Sequence, residues 1–168
     1  EQARPRPGSN PTDLSQLHRI NKIFPADDQI GELVKLQQEG KIRHIGLSEV
    51  NVDQLTASQK TATIVSVQNM YNVVEHGDDA LVDETAELGI AYVPFFPLGG
   101  FTPLQAQVLH KVAERHGATD RQIALAWLLH RSPNILLIPG TSSIAHLEAN
   151  LAAGDISLSD EDLADLAL

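Results

Sequence analysis

Five short apolar runs, at residues 14–17, 42–47, 64–67, 90–96 and 135–138, alternate along this chain with segments of helical periodicity. That alternation constrains the fold more than any other feature. Apolar strands joined through helices call for a parallel sheet, because parallel strands need long crossovers and are buried on both faces. A (β/α)₈ barrel and an open doubly wound sheet both satisfy the pattern. No G-x-G-x-x-G turn follows the first run, which argues against one common dinucleotide-binding sheet without excluding others.

Local signals place the helices between the runs. Residues 1–12, EQARPRPGSNPT, carry three prolines and no apolar period, so they read as a tail or loop, with structure beginning at Asp13. Pro25 stands where a first helical residue belongs, Ile30, Leu33 and Val34 share a face, and Gly40 is placed to end that helix. Asn51 with Gln54 and Thr119 with Gln122 resemble capping boxes. A helix from about residue 79 to 88 meets Gly89, and Thr102 with Pro103 opens another that Gly117 closes. Ile123, Ala124, Trp127 and Leu128 form a buried face. Ser143 can cap a helix carrying Ile144, Leu147 and Leu151, and Ser159 with Asp162 can start a short last one.

Composition removes several function classes. Asp and Glu outnumber Lys and Arg by 22 to 12, a formal net charge of −10, which argues against a surface for nucleic acid. Zero cysteines exclude disulfide and thiolate chemistry and fit a reducing compartment. No apolar stretch is long enough to span a bilayer, and the polar start has no signal segment, so the expectation is a cytoplasmic protein. Histidines number seven, but none forms an H-x-x-x-H or H-x-x-E-H pair, so no metal site is expected. His110 and His116 read as solvated on a surface helix, His76 and His130 as unremarkable. Asp78, Asp79, Asp160, Glu161 and Asp162 fall where carboxylates favour a helix dipole.

In a parallel barrel the chemistry sits at the carboxyl ends of the strands. His18 ends the first run, Ser48 and Glu49 the second, Gln68 and Asn69 the third, Phe95 and Phe96 the fourth. His18 suits hydrogen bonding to a carbonyl or acid-base work, and equally a structural role. Gln68 and Asn69 can bind a carboxamide ligand or tie loops together. PFFPLGG presents aromatic rings to a flat ligand or simply packs two phenylalanines before a turn. Gly140, Thr141, Ser142 and Ser143 precede a helix and offer N–H groups and hydroxyls to a phosphate, although capping alone explains part of this.

Together DLSQLHRI, EGKIRHIGLSEV, VQNMYN, PFFPLGG and IPGTSSIAHLEANL resemble consecutive landmarks of the aldo-keto reductase family, in family order and spacing, and its bacterial branch in particular. The resemblance covers residues 13–168. It implies an α/β fold of the (β/α)₈ TIM-barrel type, represented by about five C-terminal strand-helix units of an incomplete barrel. A complete one takes roughly 250 residues. It also implies NADP(H), with NAD(H) as the alternative cofactor, no metal, and reduction of a small aldehyde or ketone by hydride transfer.

Residue by residue, the resemblance makes His18 the histidine that orients the carbonyl. Ser48 and Gln68 match residues that hold the nicotinamide carboxamide, and Glu49 stands where asparagine is common. Phe95 matches the ring stacked on the nicotinamide, usually a tyrosine. Phe96, Pro97 and Leu98 match the loop along the pyrophosphate. Gly140, Thr141 and Ser142 match the segment meeting the adenosine 2′-phosphate, with Gly140 replacing a frequent lysine. His146 replaces a frequent arginine, Asn150 matches an adenine contact, and Ala149 replaces a glutamate. A glycine and an imidazole offer a dianionic phosphate less charge than lysine and arginine.

The family's proton-donating tyrosine, with its lysine and aspartate, belongs upstream of the matching segments, and neither Tyr71 nor Tyr92 matches it. The resemblance therefore implies a chain that is weak or inactive alone, because a positioned acid typically contributes about 10²- to 10⁴-fold. The open strand edges imply a covering partner, either the missing N-terminal half or a second copy. The alternatives are a truncated barrel that binds a nucleotide or partner without catalysis, and a repurposed enzyme using His18 without a cofactor.

Overall fold

The computed structural model describes residues 11–99 and 107–167. Strands β1 (Thr12–Leu17), β2 (Ile42–Ser48), β3 (Ile64–Gln68) and β4 (Ala91–Tyr92) form one parallel sheet in the order β1-β2-β3-β4. Helices α1 (Ala26–Gln38), α2 (Val52–Gln59) and α3 (Asp79–Glu87) carry the crossovers. A doubly wound sheet reverses its strand order at a switch point. This order never reverses, so the sheet is an arc of a barrel, and the choice left open by periodicity is decided. Among the described residues four α-helices follow, α4 (Gln107–His116), α5 (Asp120–Arg131), α6 (Ile144–Ala152) and α7 (Asp160–Leu166), with a 3-10 turn at Ala153–Asp155 after α6.

Most local signals operate as expected. Gly40 and Gly89 stand at φ 70° and 66° just beyond α1 and α3, a left-handed turn that a side chain would strain. Complete capping boxes open α2 at Asn51, α5 at Thr119 and α7 at Ser159. Ile123, Ala124, Trp127 and Leu128 are buried, joined by Leu125 and Ala126, so α5 is enclosed on nearly every side. Ile45, Leu47, Leu55, Val67 and Val82 are fully buried in the same core.

Several expectations need correction. Strand β1 begins at Thr12, which pairs with Ile42, so the segment read as a tail gives up its last residue to the sheet. Pro25 is the residue before α1 rather than its first, because its ψ of 137° is extended. The run at 90–96 yields a two-residue strand. Pro94 has no N–H for the ladder, although Val93 and Phe95 on either side still donate to the carbonyls of Val67 and Asn69 at 2.8 and 2.9 Å. The run at 135–138 is not a strand but a single parallel bridge from Ile135 to Tyr92. Its neighbour β4 is only two residues long, no described strand lies on its other side, and Pro139 follows. The helix opening expected at Thr102 and Pro103 lies outside the described residues.

Helix α6 forms and is capped, with Ser143 Oγ accepting from the His146 N–H at 3.4 Å, yet none of its residues is buried. Ile144, Leu147 and Leu151 are 76%, 50% and 70% exposed, and Leu136 and Ile138 in the preceding segment are also exposed. At the opposite edge Leu14 is exposed as well.

Candidate active site

The parallel register sets the carboxyl ends of the strands side by side. Leu17 is level with Leu47, Ser48 with Gln68, and Met70 with Phe95. The result is a cavity of about 490 Å³ lined by Gln16, His18, Arg19, Ser48, Glu49, Gln68, Phe95 and Phe96. His18, Ser48, Gln68, Phe95 and Phe96 are thus brought together from four different strand ends. Gln16 and Arg19 were missed in the sequence. Gln16 had a signal, since it stands two residues before His18 and strand alternation puts both on one face.

Ser48 is 6% exposed and donates its hydroxyl hydrogen to the Gln68 carbonyl at 2.7 Å, which leaves its lone pairs to accept. The Gln68 side-chain amide has no hydrogen-bond partner among the described residues, and neither has the exposed His18 ring. Phe95 packs edge-to-face on Phe96 with ring centres 5.2 Å apart. Glu49 pairs with Arg19 at 3.2 Å in a largely solvated contact of little energetic weight. Glu49 at φ 56° and Phe96 at φ 54° are the non-glycine residues with left-handed backbone among those described, and both line this cavity. Backbone strain of that kind, on the order of 1–3 kcal/mol each, concentrates at functional sites.

Gly46, in the middle of β2, serves the floor of the site. A Cβ there would collide with Ser66 Oγ and stand 2.8 Å from Gln16 Cγ. Its absence lets Gln16 Nε2 cross to donate to Ser66 Oγ at 3.2 Å.

Asn69 turns the other way from Gln68. Buried, its amide accepts from the Val50 N–H at 3.2 Å and donates to the Val50 carbonyl at 2.7 Å and to Asp78 at 2.6 Å. Asp78 also accepts from the Tyr92 hydroxyl at 2.9 Å, and Asp79 from the Tyr71 hydroxyl at 2.5 Å. Arg131 ties the group to α5 through Asp83 at 2.8 Å and Asp79 at 3.3 Å. Burial first, then the neighbouring aspartates, push both tyrosine hydroxyls well above their ordinary pKa. Asp78 and Asp79 therefore bind tyrosines rather than merely favouring a helix dipole. His76, read as unremarkable, stacks on Trp127 at 4.9 Å. His116, read as solvated, meets Asp162 at 2.9 Å.

A second cavity, of about 680 Å³, lies between the end of α4, the start of α5 and α6. His146, Ala149 and Asn150 line it together with Arg121, which the sequence reading passed over within a capping box. Gly140, Thr141 and Ser142 are exposed on the loop before α6 and line neither cavity. There Thr141 Oγ1 accepts from the Ser143 N–H at 3.1 Å. Pro97 is buried and Leu98 packs against the core, so of the loop 96–98 only Phe96 faces the site. Among the described residues no group of three or more His, Asp and Glu gathers as for a metal ion, and no helix is long and apolar enough to cross a membrane.

Comparison with known proteins agrees with this fold. The family model for the aldo/keto reductase family matches residues 1–167. Pyridoxine 4-dehydrogenase of Escherichia coli is 59% identical over 134 residues, 80% of this chain and 47% of that protein. Among solved structures, a thermostable aldo-keto reductase bound to the inhibitor epalrestat superposes with a TM-score of 0.86 at 30% identity, covering 95% of this chain and 60% of the other. An aldo/keto reductase of Klebsiella pneumoniae in complex with NADP and acetate gives 0.83 at 30% identity, over 94% and 58%. The fold and the site define an α/β protein built as part of a (β/α)₈ barrel with its polar residues at the strand ends. The chain belongs to the aldo/keto reductase family, and it spans about half the length of the curated relatives it matches.

Proposed function

We propose that this chain provides the nicotinamide and substrate site of an NADP(H)-dependent oxidoreductase that reduces a small aldehyde or ketone. The carrying observation is the unpartnered Gln68 amide in one cavity with the Ser48 hydroxyl, the Phe95 ring and His18. The residues fit a nicotinamide. Gln68 can both donate to and accept from a carboxamide, Ser48 keeps lone pairs for its N–H, and Phe95 offers a flat apolar face. The chemistry such a cofactor supplies when bound is a hydride for the carbonyl carbon. Complexes of the Klebsiella pneumoniae relatives with NADP and NADPH support the choice of nucleotide.

His18 hydrogen-bonds the substrate carbonyl oxygen and fixes its orientation, with one ring nitrogen holding the proton it presents. Phe96 and Phe95 limit water on one side. The product oxygen needs a proton, and Tyr71 and Tyr92 cannot give it, since both are fully buried and donate to aspartates away from this cavity. The remaining strand-helix units of a full barrel supply that acid, and those units or a second copy cover Leu14, Leu136, Ile144, Leu147 and Leu151. A chain acting without them binds nucleotide and turns over poorly. The acidic surface supports no nucleic-acid role, and the lack of cysteine supports a cytoplasmic setting.

The test is NADPH oxidation by the purified protein with a panel of small aldehydes and ketones. Pyridoxal is included because the Escherichia coli relative is named for pyridoxine. His18→Ala should lower kcat/KM by about 10²-fold while leaving NADPH binding intact. Absence of NADPH binding by the unaltered protein would end the proposal.

A further inference from the structure

The proposed function gives tasks to His18, Ser48, Gln68 and Phe95, yet Arg19 and Glu49 line the same cavity of about 490 Å³. They meet through one contact, Arg19 Nη2 to a Glu49 carboxylate oxygen at 3.2 Å, rather than through the two-bond fork that arginine can make to a carboxylate. The other guanidinium donors and the second carboxylate oxygen have no hydrogen bond among the described residues. The pair is largely solvated, so a ligand opens it at small cost.

The backbone fixes where the carboxylate stands. Glu49 adopts φ 56°, a conformation that glycine and asparagine take far more readily than glutamate. Its N–H donates to the Gln68 carbonyl at 3.2 Å, and the next N–H, of Val50, to the Asn69 amide at 3.2 Å, so β3 pins the turn at two successive residues. Arg19 directly follows His18, just beyond the last ladder pair of β1, Leu17 with Leu47. Unused donors at the end of β1 and an unused acceptor at the end of β2 therefore share the cavity with the imidazole.

We propose that Arg19 and Glu49 are specificity-determining residues that together bind a hydroxyl group carried next to the substrate's carbonyl. This rests on the reading of the same site as one that binds a nicotinamide and a carbonyl. A hydroxyl both donates and accepts, so it gives its hydrogen to Glu49 and takes one from Arg19 while His18 holds the carbonyl oxygen. An alkyl group in that place satisfies neither ion. A carboxylate gains from Arg19 but is repelled by Glu49 in the same pair, on a chain of net charge −10. The substrate class is thus a neutral α-hydroxy carbonyl compound.

Ligand-observed NMR titration of the intact protein saturated with NADP⁺, which cannot reduce a ketone, reads affinity without turnover. Hydroxyacetone, butanone and pyruvate set a hydroxymethyl, an ethyl and a carboxylate group beside the same acetyl unit. Hydroxyacetone should bind roughly tenfold more tightly than butanone, the size of one charge-assisted hydrogen bond, and Arg19→Met should erase that preference. Glu49→Gln keeps an acceptor but removes the charge, so it should retain part of the preference and bind pyruvate several-fold more tightly than the unaltered protein. If NADP⁺ binds but hydroxyacetone does not, or binds no better than butanone, or keeps its full preference in Arg19→Met, the role of the pair falls and the nicotinamide reading stands. Failure of NADP⁺ to bind ends both.

Discussion

Gln68 and Asn69 carry the same functional group on consecutive residues, yet the fold uses them in opposite ways. Asn69 is buried and bonded to Val50 and Asp78, in a cluster that also takes in Tyr71, Tyr92, Asp79 and Arg131. Gln68 points into the cavity of His18 and Ser48 and keeps its amide unused. The contrast separates a region whose polar groups are consumed in holding α3 and α5 to the sheet from one whose polar groups are left for a ligand. Satisfied buried networks rigidify a fold. Unsatisfied amides beside a strand end are what a binding site requires.

The sharpest way to break this comparison is to truncate both amides. Asn69→Ala should destabilise the protein by about 2–3 kcal/mol in urea unfolding, since it strands the Val50 N–H and removes a donor to Asp78. Gln68→Ala should change stability by less than about 0.5 kcal/mol and weaken NADPH binding roughly tenfold instead. Equal stability losses in the two variants would erase the distinction. Next in size, Gly46→Ala should cost about 1–3 kcal/mol by driving a methyl into Ser66 and Gln16, and should lower NADPH affinity as the cavity floor moves. A neutral result in a thermal melt would show that Gln16 moves aside freely.

A pH-dependent effect sharpens the comparison at a third place. Burial raises the pKa of Asp162, but the Ser159 N–H, the His116 ring, the Ser159 hydroxyl and Arg115 outweigh it and hold the carboxyl at about 2 instead of 3.8. A carboxyl depressed by folding stabilises the native state above its unfolded pKa, and that stability is lost as pH falls. The contribution is therefore complete above pH 3.8 and disappears as pH drops through about 2. Asp162→Asn should flatten that part of the acid melting curve, whereas Gln68→Ala, outside any such network, should leave its shape unchanged.

Much of this was legible in the sequence where local rules govern. Caps, helix-ending glycines and apolar periods depend on neighbours a few residues away, and Asn51, Thr119, Ser159, Gly40 and Gly89 behave accordingly. The run at 135–138 misled because a strand needs a paired neighbour on at least one long edge, and its neighbour β4 is cut short by Pro94. Ile144, Leu147 and Leu151 show the same limit for a helix: their spacing is amphipathic, but burial depends on what else is present to pack against them. His18, Ser48, Gln68 and Phe95 were readable because parallel strand ends meet by construction. Arg121 was not, since only the packing of α4, α5 and α6 reveals that it faces a cavity and lacks a carboxylate.

The central claim is that a nicotinamide lies over the carboxyl ends of β1 to β4, its carboxamide held by Gln68 and Ser48. A crystal structure of the protein with NADP⁺ tests it directly. The account predicts the carboxamide within hydrogen-bond distance of the Gln68 amide and Ser48 Oγ, with the ring against Phe95. A nucleotide seated elsewhere, or a saturated crystal in which this cavity holds only water, would contradict it.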